Sequence, residues 1–180
     1  MNKYFPGEKY WYAIYTRTKC EKAVAADISE FCTTYLPLQI VRRKWSDRYK
    51  KLKVPLIPSY LFVKFSENNR IRIYRHPNVI KILGVNGKLN PIPEKEIELV
   101  RRIEASRLPV GFFRNSRHLN IGDRVCFNSG PLMGEEGYLE RFLNNSKVYI
   151  HIPSLDGYFV ANINEVSPHY SIMQAEALLV

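Results

Sequence analysis

The sequence lacks the patterns of disulfide-rich, zinc-binding, exported and membrane-spanning proteins. Its cysteines, Cys20, Cys32 and Cys126, are odd in number and without C-x-x-C spacing, so we expect reduced thiols rather than a disulfide framework or a zinc site. No apolar run approaches the roughly 18 residues of a membrane span. The start, MNKYFPGEKYW, has no apolar signal core. We therefore expect a cytoplasmic protein without a membrane partner.

Histidine is also scarce, and no catalytic constellation is visible. The four histidines are scattered, and none lies in an H-x-x-x-H, nucleophile-elbow or P-loop context. We interpret each as a surface or turn residue. The sequence therefore predicts a protein that is not an enzyme and needs no cofactor or metal.

Acidic residues are few in the first two thirds of the chain. Residues 1–117 contain 24 Lys and Arg against 10 Asp and Glu, a net charge of +14, whereas residues 118–180 sum to −4. This asymmetry predicts two parts with different partners. The basic part is a candidate for nucleic-acid contact, because Lys and Arg that neutralise phosphates release counterions.

The most informative stretch is VPLIPSYLFVKF, residues 54–65. From Tyr60 onward both parities are apolar, which predicts a strand covered on both faces. Before it, Trp11–Tyr15 is typical of a first strand, and Thr18 with Glu21 matches a capping box at the start of a helix. Residues 34–45 and 50–56 predict two further strands. The order β-α-β-β-β, with added helices, indicates an α+β fold.

The turn between those two strands is strongly basic. Seven cations and one acid lie between Arg42 and Lys53, interleaved with Trp45 and Tyr49. A basic hairpin carrying aromatics can hold a nucleic-acid backbone and stack on a base. The alternative is a solvated edge ribbon protected by lysines. Arg17 and Lys19, at the junction before the first helix, would also suit a phosphate.

The rest of the chain predicts more helix and then short strands. A short helix is expected over residues 67–75, a strand over 79–83 and a second long helix after Pro93, followed by a linker over 106–118. Strands at 121–127, 147–152 and 158–163, punctuated by glycine, predict a small barrel. Residues 135–145 also fit a helix, and residues 171–180 fit a short helix or a frayed tail.

Four motifs in this order resemble the NusG-type transcription elongation factors: WYAIY, the capping-box helix, PLIPSYLFV, and GDRV followed by GPLMGEEG. The resemblance implies an N-terminal antiparallel sheet flanked by helices at 9–107, a linker at 108–118, an SH3-like KOW barrel at 119–168 and a tail at 169–180. YLPLQ and the K-W-S-D-R turn are most similar to the specialised UpxY and RfaH-like paralogues. These are operon-specific antiterminators, typically of capsular polysaccharide clusters.

The resemblance also implies partners and site residues. The clamp helices of RNA polymerase would contact Tyr15, Ile57, Pro58, Tyr60 and Leu61, and the opposite jaw of the polymerase would contact Asn69 and Arg70. DNA at the transcription bubble, the non-template strand in this family, would contact Arg17, Lys19, Arg42, Arg43, Lys44, Arg48, Lys50 and Lys51. A partner of the barrel would contact Leu132 and Leu155.

Two positions of the barrel depart from the housekeeping members of the family. Glu135 and Asp156 stand where those members place aromatics that dock a ribosomal protein or Rho, so we expect such docking to be weak. We expect the protein to be a monomer. Two other functions stay open at this point: a general elongation factor, and a KOW protein that binds ribosomal RNA.

Overall fold

The computed structural model describes residues 7–45, 47–85, 87–114, 124–140, 147–162 and 170–172. The chain divides into two compact units, Met1–Glu98 and Leu99–Val180. No helix among the described residues is long and apolar enough to cross a membrane.

The first unit is built on a four-stranded antiparallel sheet in the order β2-β5-β1-β6. Its elements, in chain order, are β1 (Tyr10–Thr16), α1 (Glu21–Ser29), β2 (Thr33–Tyr35), β3 (Leu38–Lys44), β4 (Tyr49–Pro55), β5 (Tyr60–Phe65), a 3₁₀ turn (Glu67–Asn69), α2 (Arg70–Tyr74), β6 (Val79–Ile82), β7 (Gly84–Val85) and β8 (Lys88–Leu89). Helix α3 (Glu94–Ser106) begins in this unit. Among the strands of the described residues, β3 and β4 pair only with each other, as do β7 and β8.

Strand β5 is central and covered on both sides, as its apolar parities predict. It lies between β2 and β1, with Tyr60 opposite Tyr15 and Leu61 opposite Ile14. On one face, Leu61, Val63 and Phe65 belong to a core that also contains buried residues of α1. On the other face the rings of Tyr60 and Tyr15 lie 5.3 Å apart between centroids. Burial of both faces explains why this stretch is almost continuously apolar.

Helix α1 begins later than its capping box predicts. Its N-cap is Cys20, and no side chain caps it, so the prediction that Thr18 and Glu21 cap each other is wrong. The Glu21 carboxylate instead accepts the backbone N–H of Ser59 at 2.8 Å, and the Thr18 hydroxyl lies 3.3 Å from the Ser59 hydroxyl. A contact with the segment before β5 has replaced the local one.

Helix α3 follows its predicted stripe. Ile97, Val100 and Ile103 are buried, at the spacing that an amphipathic helix needs. The indole Nε1 of Trp11 donates to the Glu94 carboxylate at 3.1 Å, which holds the start of α3 to β1. Acids in the first turn also complement the helix dipole.

The second unit contains a six-stranded sheet in the order β14-β10-β11-β12-β13-β9, antiparallel throughout. Its strands are β9 (Gly111–Arg114), β10 (Arg124–Phe127), β11 (Glu136–Glu140), β12 (Lys147–Ile152), β13 (Gly157–Asn162) and β14 (Tyr170–Ile172). Gly134 has a φ of +84°, and a Cβ on Gly137 would lie 2.9 Å from the Tyr149 carbonyl oxygen. Both positions therefore favour glycine.

Three stretches of the second unit differ from their sequence-based interpretation. Strand β9 lies in the stretch predicted to be a linker, and the Phe112 ring packs on Phe159 with centroids 5.2 Å apart. Strand β14 lies in the predicted tail and pairs with β10. The alternative helix over 135–145 is replaced by β11 at its start, while residues 141–146 lie outside the described residues.

Candidate nucleic-acid interface

Strands β3 and β4 form a basic ribbon separate from the main sheet. Their register sets Arg42 opposite Lys51 and Arg43 opposite Lys50. Like charges directly opposite each other destabilise an antiparallel pair, and a lone two-stranded ribbon is marginally stable in water. The hairpin keeps these charges at a cost to its own stability, which indicates a role in binding rather than in folding.

These four cations are exposed, and their charge is not balanced locally. Within the described part of the chain, no carboxylate lies within ion-pair distance of any of them. Their charge is therefore available for an external anion, and phosphate is the anion that such a basic ribbon suits.

The two faces of the ribbon differ because side chains alternate along each strand. We call the first the tyrosine face: Ile40, Arg42, Lys44, Tyr49, Lys51 and Lys53, all of them exposed. We call the second the valine face: Gln39, Val41, Arg43, Lys50, Leu52 and Val54, in which the apolar members are half-buried. The tyrosine face therefore carries more of the ribbon's positive charge and faces water along its whole length.

Two aromatic side chains lie at the tip of the hairpin. The backbone N–H of Trp45 donates to the Arg48 carbonyl at 2.7 Å, and this hydrogen bond continues the ribbon beyond β3. The Lys50 ammonium lies 5.6 Å from the centroid of the Trp45 ring, a cation–π contact. Trp45 is 53% exposed and Tyr49 is 70% exposed. Ser46, in the turn between them, lies outside the described residues.

The base of the hairpin is fastened to the body of the first unit. Lys22 of α1 donates from Nζ to the Lys53 carbonyl at 2.8 Å. The Leu56 N–H donates to the Pro37 carbonyl at 2.8 Å, just below the last pair of the ribbon. These contacts anchor the base of the hairpin to the first unit.

Arg17 and Lys19, the other predicted phosphate contacts, are exposed at the start of α1. The Arg17 N–H donates to the Asn78 carbonyl at 2.9 Å, and Lys19 has a φ of +68°. The Glu21 carboxylate occupies the first turn of α1, where it competes with an anion for the positive end of the helix dipole. This geometry counts against a phosphate on the helix terminus itself.

The predicted polymerase-binding residues around β5 are mostly buried. Ile57 and Leu61 are fully inaccessible and Tyr60 is 2% exposed, whereas Pro58 is exposed and Tyr15 half-buried. The Lys81 ammonium lies 6.0 Å from the Tyr15 ring centroid, a neighbour that the sequence does not reveal. The accessible part of this group is therefore Pro58 with part of Tyr15, and the other residues of the group are buried.

The turn that presents Pro58 depends on Glu21. Ser59, the next residue, has a φ of +65°, which a non-glycine residue rarely adopts. Its N–H donates to the Glu21 carboxylate, and its carbonyl accepts the Thr16 N–H at 2.9 Å. These two hydrogen bonds of the Ser59 backbone thus hold its unfavourable positive φ in place.

Glu21→Ala should lower the free energy of unfolding by about 2 kcal/mol, because the buried Ser59 N–H loses its acceptor. Urea unfolding of the whole chain measures this. Glu30→Ala is the matched control, since Glu30 is exposed at the other end of α1 and its loss should stay within about 0.5 kcal/mol. Equal midpoints for the two variants would contradict the role of Glu21.

Asn69 and Arg70 lie where the 3₁₀ turn passes into α2. Arg70 is 3.8 Å from the Glu67 carboxylate, and its guanidinium carbon lies 5.8 Å from the Tyr74 ring centroid. Ile71 and Tyr74 are 66% and 42% exposed. Sequence reasoning missed these two, although exposed apolar side chains beside a predicted contact could have marked them.

Leu132 and Leu155, the predicted partner contacts of the second unit, are buried at 3% and 1% exposure. Glu135 forms an ion pair with Arg102, which also donates to the Met133 carbonyl at 3.4 Å. These leucines therefore contribute to packing, and the acid at 135 is already engaged within the chain.

The cysteines and His76 have structural environments. The three thiols are free, as the sequence predicts. Burial raises the pKa of the Cys32 thiol, which keeps it protonated and unreactive. His76 accepts the Asn78 N–H at Nδ1, and its Nε2 lies 2.9 Å from the Asp27 carboxylate, so this ring links α1 to the loop before β6.

Comparison with known proteins gives three findings. The family model for NusG, described as a transcription termination factor, matches residues 9–101, about half of the chain. The transcription termination/antitermination protein NusG of Rickettsia prowazekii is 22% identical over 88% of this chain and 89% of its own length. A solved structure on domain interaction in Thermotoga maritima NusG is 17% identical, with a TM-score of 0.56 over 93% of this chain and 98% of that one. The last likeness supports a shared fold.

Proposed function

The chain belongs to the NusG family of transcription termination/antitermination factors, and on that premise we propose that it binds the clamp helices of RNA polymerase through its first unit and contacts the non-template DNA strand through the β3–β4 hairpin. The observation that carries this proposal is the hairpin itself. Its paired like charges, exposed and unbalanced, suit a polyanion that approaches from outside.

The polymerase contact would form where β1 meets the turn before β5. Pro58 is exposed there and Tyr15 is half-buried, with the Tyr60 ring packed beside that of Tyr15. A proline and an aromatic edge on a rigid support are suited to anchor a partner helix, because little entropy is lost on binding. Asn69 and Arg70, with the exposed Ile71 and Tyr74, would form a second, smaller contact to the opposite jaw.

The second unit would be a KOW-type barrel, which strands β9 and β14 extend beyond the limits of 119–168 that the sequence predicts. Its antiparallel strands and its glycines at 134 and 137 support this assignment. Docking of a ribosomal protein or Rho is not expected, because Glu135 is paired with Arg102 and the leucines at 132 and 155 are buried. From the YLPLQ and K-W-S-D-R motifs we propose that the chain is a specialised, operon-specific antiterminator of the type found with capsular polysaccharide clusters.

Experiments distinguish two alternative functions from the proposed one. A general elongation factor would bind polymerase but act equally on every operon, which transcription of a polysaccharide cluster and of unrelated genes in a deletion strain distinguishes. A protein bound to ribosomal RNA would need a basic barrel, whereas residues 118–180 carry a net charge of −4. Recovery of ribosomal subunits instead of polymerase from a lysate would favour that alternative.

Substitutions of two tyrosines test whether the polymerase is bound by a part of the first unit other than the hairpin. Tyr15→Ala should weaken binding to purified core polymerase by about tenfold, a typical loss for an aromatic anchor. Tyr49→Ala, which removes an exposed ring from the hairpin, should leave that affinity unchanged. Affinity is measured by fluorescence anisotropy with labelled protein, after thermal unfolding has established that both variants are folded. If the two variants bound core polymerase equally, the contact would lie elsewhere.

A further inference from the structure

We infer that the hairpin binds an unpaired nucleotide, whose base stacks on Tyr49 while cations of the tyrosine face hold the phosphates that lead up to it along the ribbon. This rests on the proposed nucleic-acid function and specifies the form of nucleic acid that is bound. The hairpin would distinguish a single strand from a duplex by means of one aromatic ring.

Tyr49 is the ring that the fold leaves available. It is 70% exposed, and within the described residues its ring contacts neither another ring nor a cation. It lies opposite Lys44, two residues along each strand from the Arg42–Lys51 pair and on the same face as that pair. A large ring left in water contributes little to folding, whereas stacking on a base would use its whole surface.

Trp45 is less suited to this role. It is 53% exposed, and the Lys50 ammonium already lies 5.6 Å from its ring centroid. The alternation of the ribbon, continued through the Trp45–Arg48 hydrogen bond, puts it on the side of Lys50, the valine face. It therefore stiffens the turn, and its loss should affect the free energy of unfolding more than base recognition.

The spacing of the tyrosine face suits one strand that runs along the ribbon. Its rungs are Ile40 with Lys53, Arg42 with Lys51, and Lys44 with Tyr49. Same-face rungs in a strand are about 6.7 Å apart, so the cations form a row that a single backbone can follow. The ring at the end of this row would then meet the base of the nucleotide beyond the last held phosphate.

A duplex cannot use this arrangement fully. Its bases are stacked on each other, so no base face is free for Tyr49. A ribbon that reads a duplex in the major groove relies on Arg, Asn or Gln aimed at base edges. The tyrosine face has one residue of this kind, Arg42, and neither Asn nor Gln, since Gln39 lies on the valine face. Its composition therefore favours phosphates and one exposed base.

The test compares three DNA probes of one length with the full chain, by fluorescence anisotropy at fixed salt: a mixed-sequence strand, the same strand with abasic sites throughout, and its duplex. The intact strand should bind about tenfold more tightly than the abasic strand. Tyr49→Ala should abolish that difference, and Tyr49→Phe should keep it. Phe113→Ala, which removes an exposed ring of the second unit, is the control and should keep it as well.

Separate outcomes would overturn the inference and the proposed function. Equal binding of intact and abasic strands, or tighter binding of the duplex, would overturn the stacking role of Tyr49 while leaving nucleic-acid binding intact. Failure to bind any probe would overturn both. An RNA strand of the same sequence tests whether the natural ligand is DNA or RNA. If the RNA bound more tightly than the DNA strand and Tyr49→Ala weakened RNA binding, stacking on Tyr49 would be supported and binding of non-template DNA would not.

Discussion

Replacing Arg42, Lys51 and Lys53 together with glutamine should weaken binding to single-stranded DNA by about a hundredfold at low salt. All three belong to the tyrosine face and are exposed. Each lost phosphate contact on a single strand flattens the slope of log affinity against log salt by about 0.7, so the triple variant should flatten it by about 2. A salt titration of the full chain by anisotropy measures both quantities.

The matched control removes the same charge from the rest of the hairpin. A triple variant with glutamine at Arg43, Arg48 and Lys50 has the same net charge, but its positions lie on the valine face and at the turn. Its loss of affinity should be clearly smaller. Equal losses would mean that only total charge matters, and an unchanged salt slope in the first variant would mean that the ribbon is a solvated edge.

Unfolding of the variant with glutamine at Arg42, Lys51 and Lys53 tests whether these cations support the fold. Arg42 and Lys51 stand directly opposite each other, so their neutralisation removes a repulsion. The free energy of unfolding should stay constant or rise by a few tenths of a kcal/mol, roughly the size of a cross-strand pair. Urea unfolding of the triple variant tests this, and a marked loss of stability would show that these cations support the fold.

Tyr60→Ala should lower the free energy of unfolding by about 3 kcal/mol or more, as large-to-small changes in a core do. The Tyr60 ring is 2% exposed and packs on Tyr15 in the centre of the sheet. Tyr60→Phe keeps the ring and should retain most of that stability. Urea unfolding of both variants and the unmodified chain measures the difference.

The control for Tyr60 is a tyrosine that the fold does not need. Tyr74 is 42% exposed, so Tyr74→Ala should cost less than about 1 kcal/mol. If Tyr60→Ala were no more destabilising than Tyr74→Ala, Tyr60 would be an interface anchor rather than part of the core. Polymerase binding by a Tyr60 variant is therefore informative only for Tyr60→Phe, which should bind as the unmodified chain does.

The sequence by itself determined the strands and helices whose burial follows from the periodicity of side chains within one segment. The continuous apolar run of β5 predicts a covered central strand, because each parity needs a face to bury. The period of α3 predicts its buried stripe. The alternation of Lys51 and Lys53 with Leu52 and Val54 predicts a ribbon with two unlike faces. Each of these depends on side-chain period alone, which the sequence displays directly.

Contacts between distant segments were decided only by the tertiary structure. Thr18 and Glu21 fit a capping box, yet both turn to Ser59, because a buried N–H far along the chain needs an acceptor more than the exposed helix start does. Strand β9 has no period that distinguishes it from a linker, and it forms because β13 offers a partner. Neither outcome leaves a local signal.

In the candidate site, too, some features were determined by the sequence and others only by the tertiary structure. Composition alone indicates a basic, aromatic hairpin, but only the register sets Arg42 opposite Lys51 and puts Tyr49 on their face. The sequence also marks Tyr60 as an apolar anchor without revealing whether it faces a partner or the core, since both uses need the same side chain. The Tyr60 ring is buried with Tyr15 of β1 packed on it, and this contact between distant segments is a property of the sheet and not of the segment.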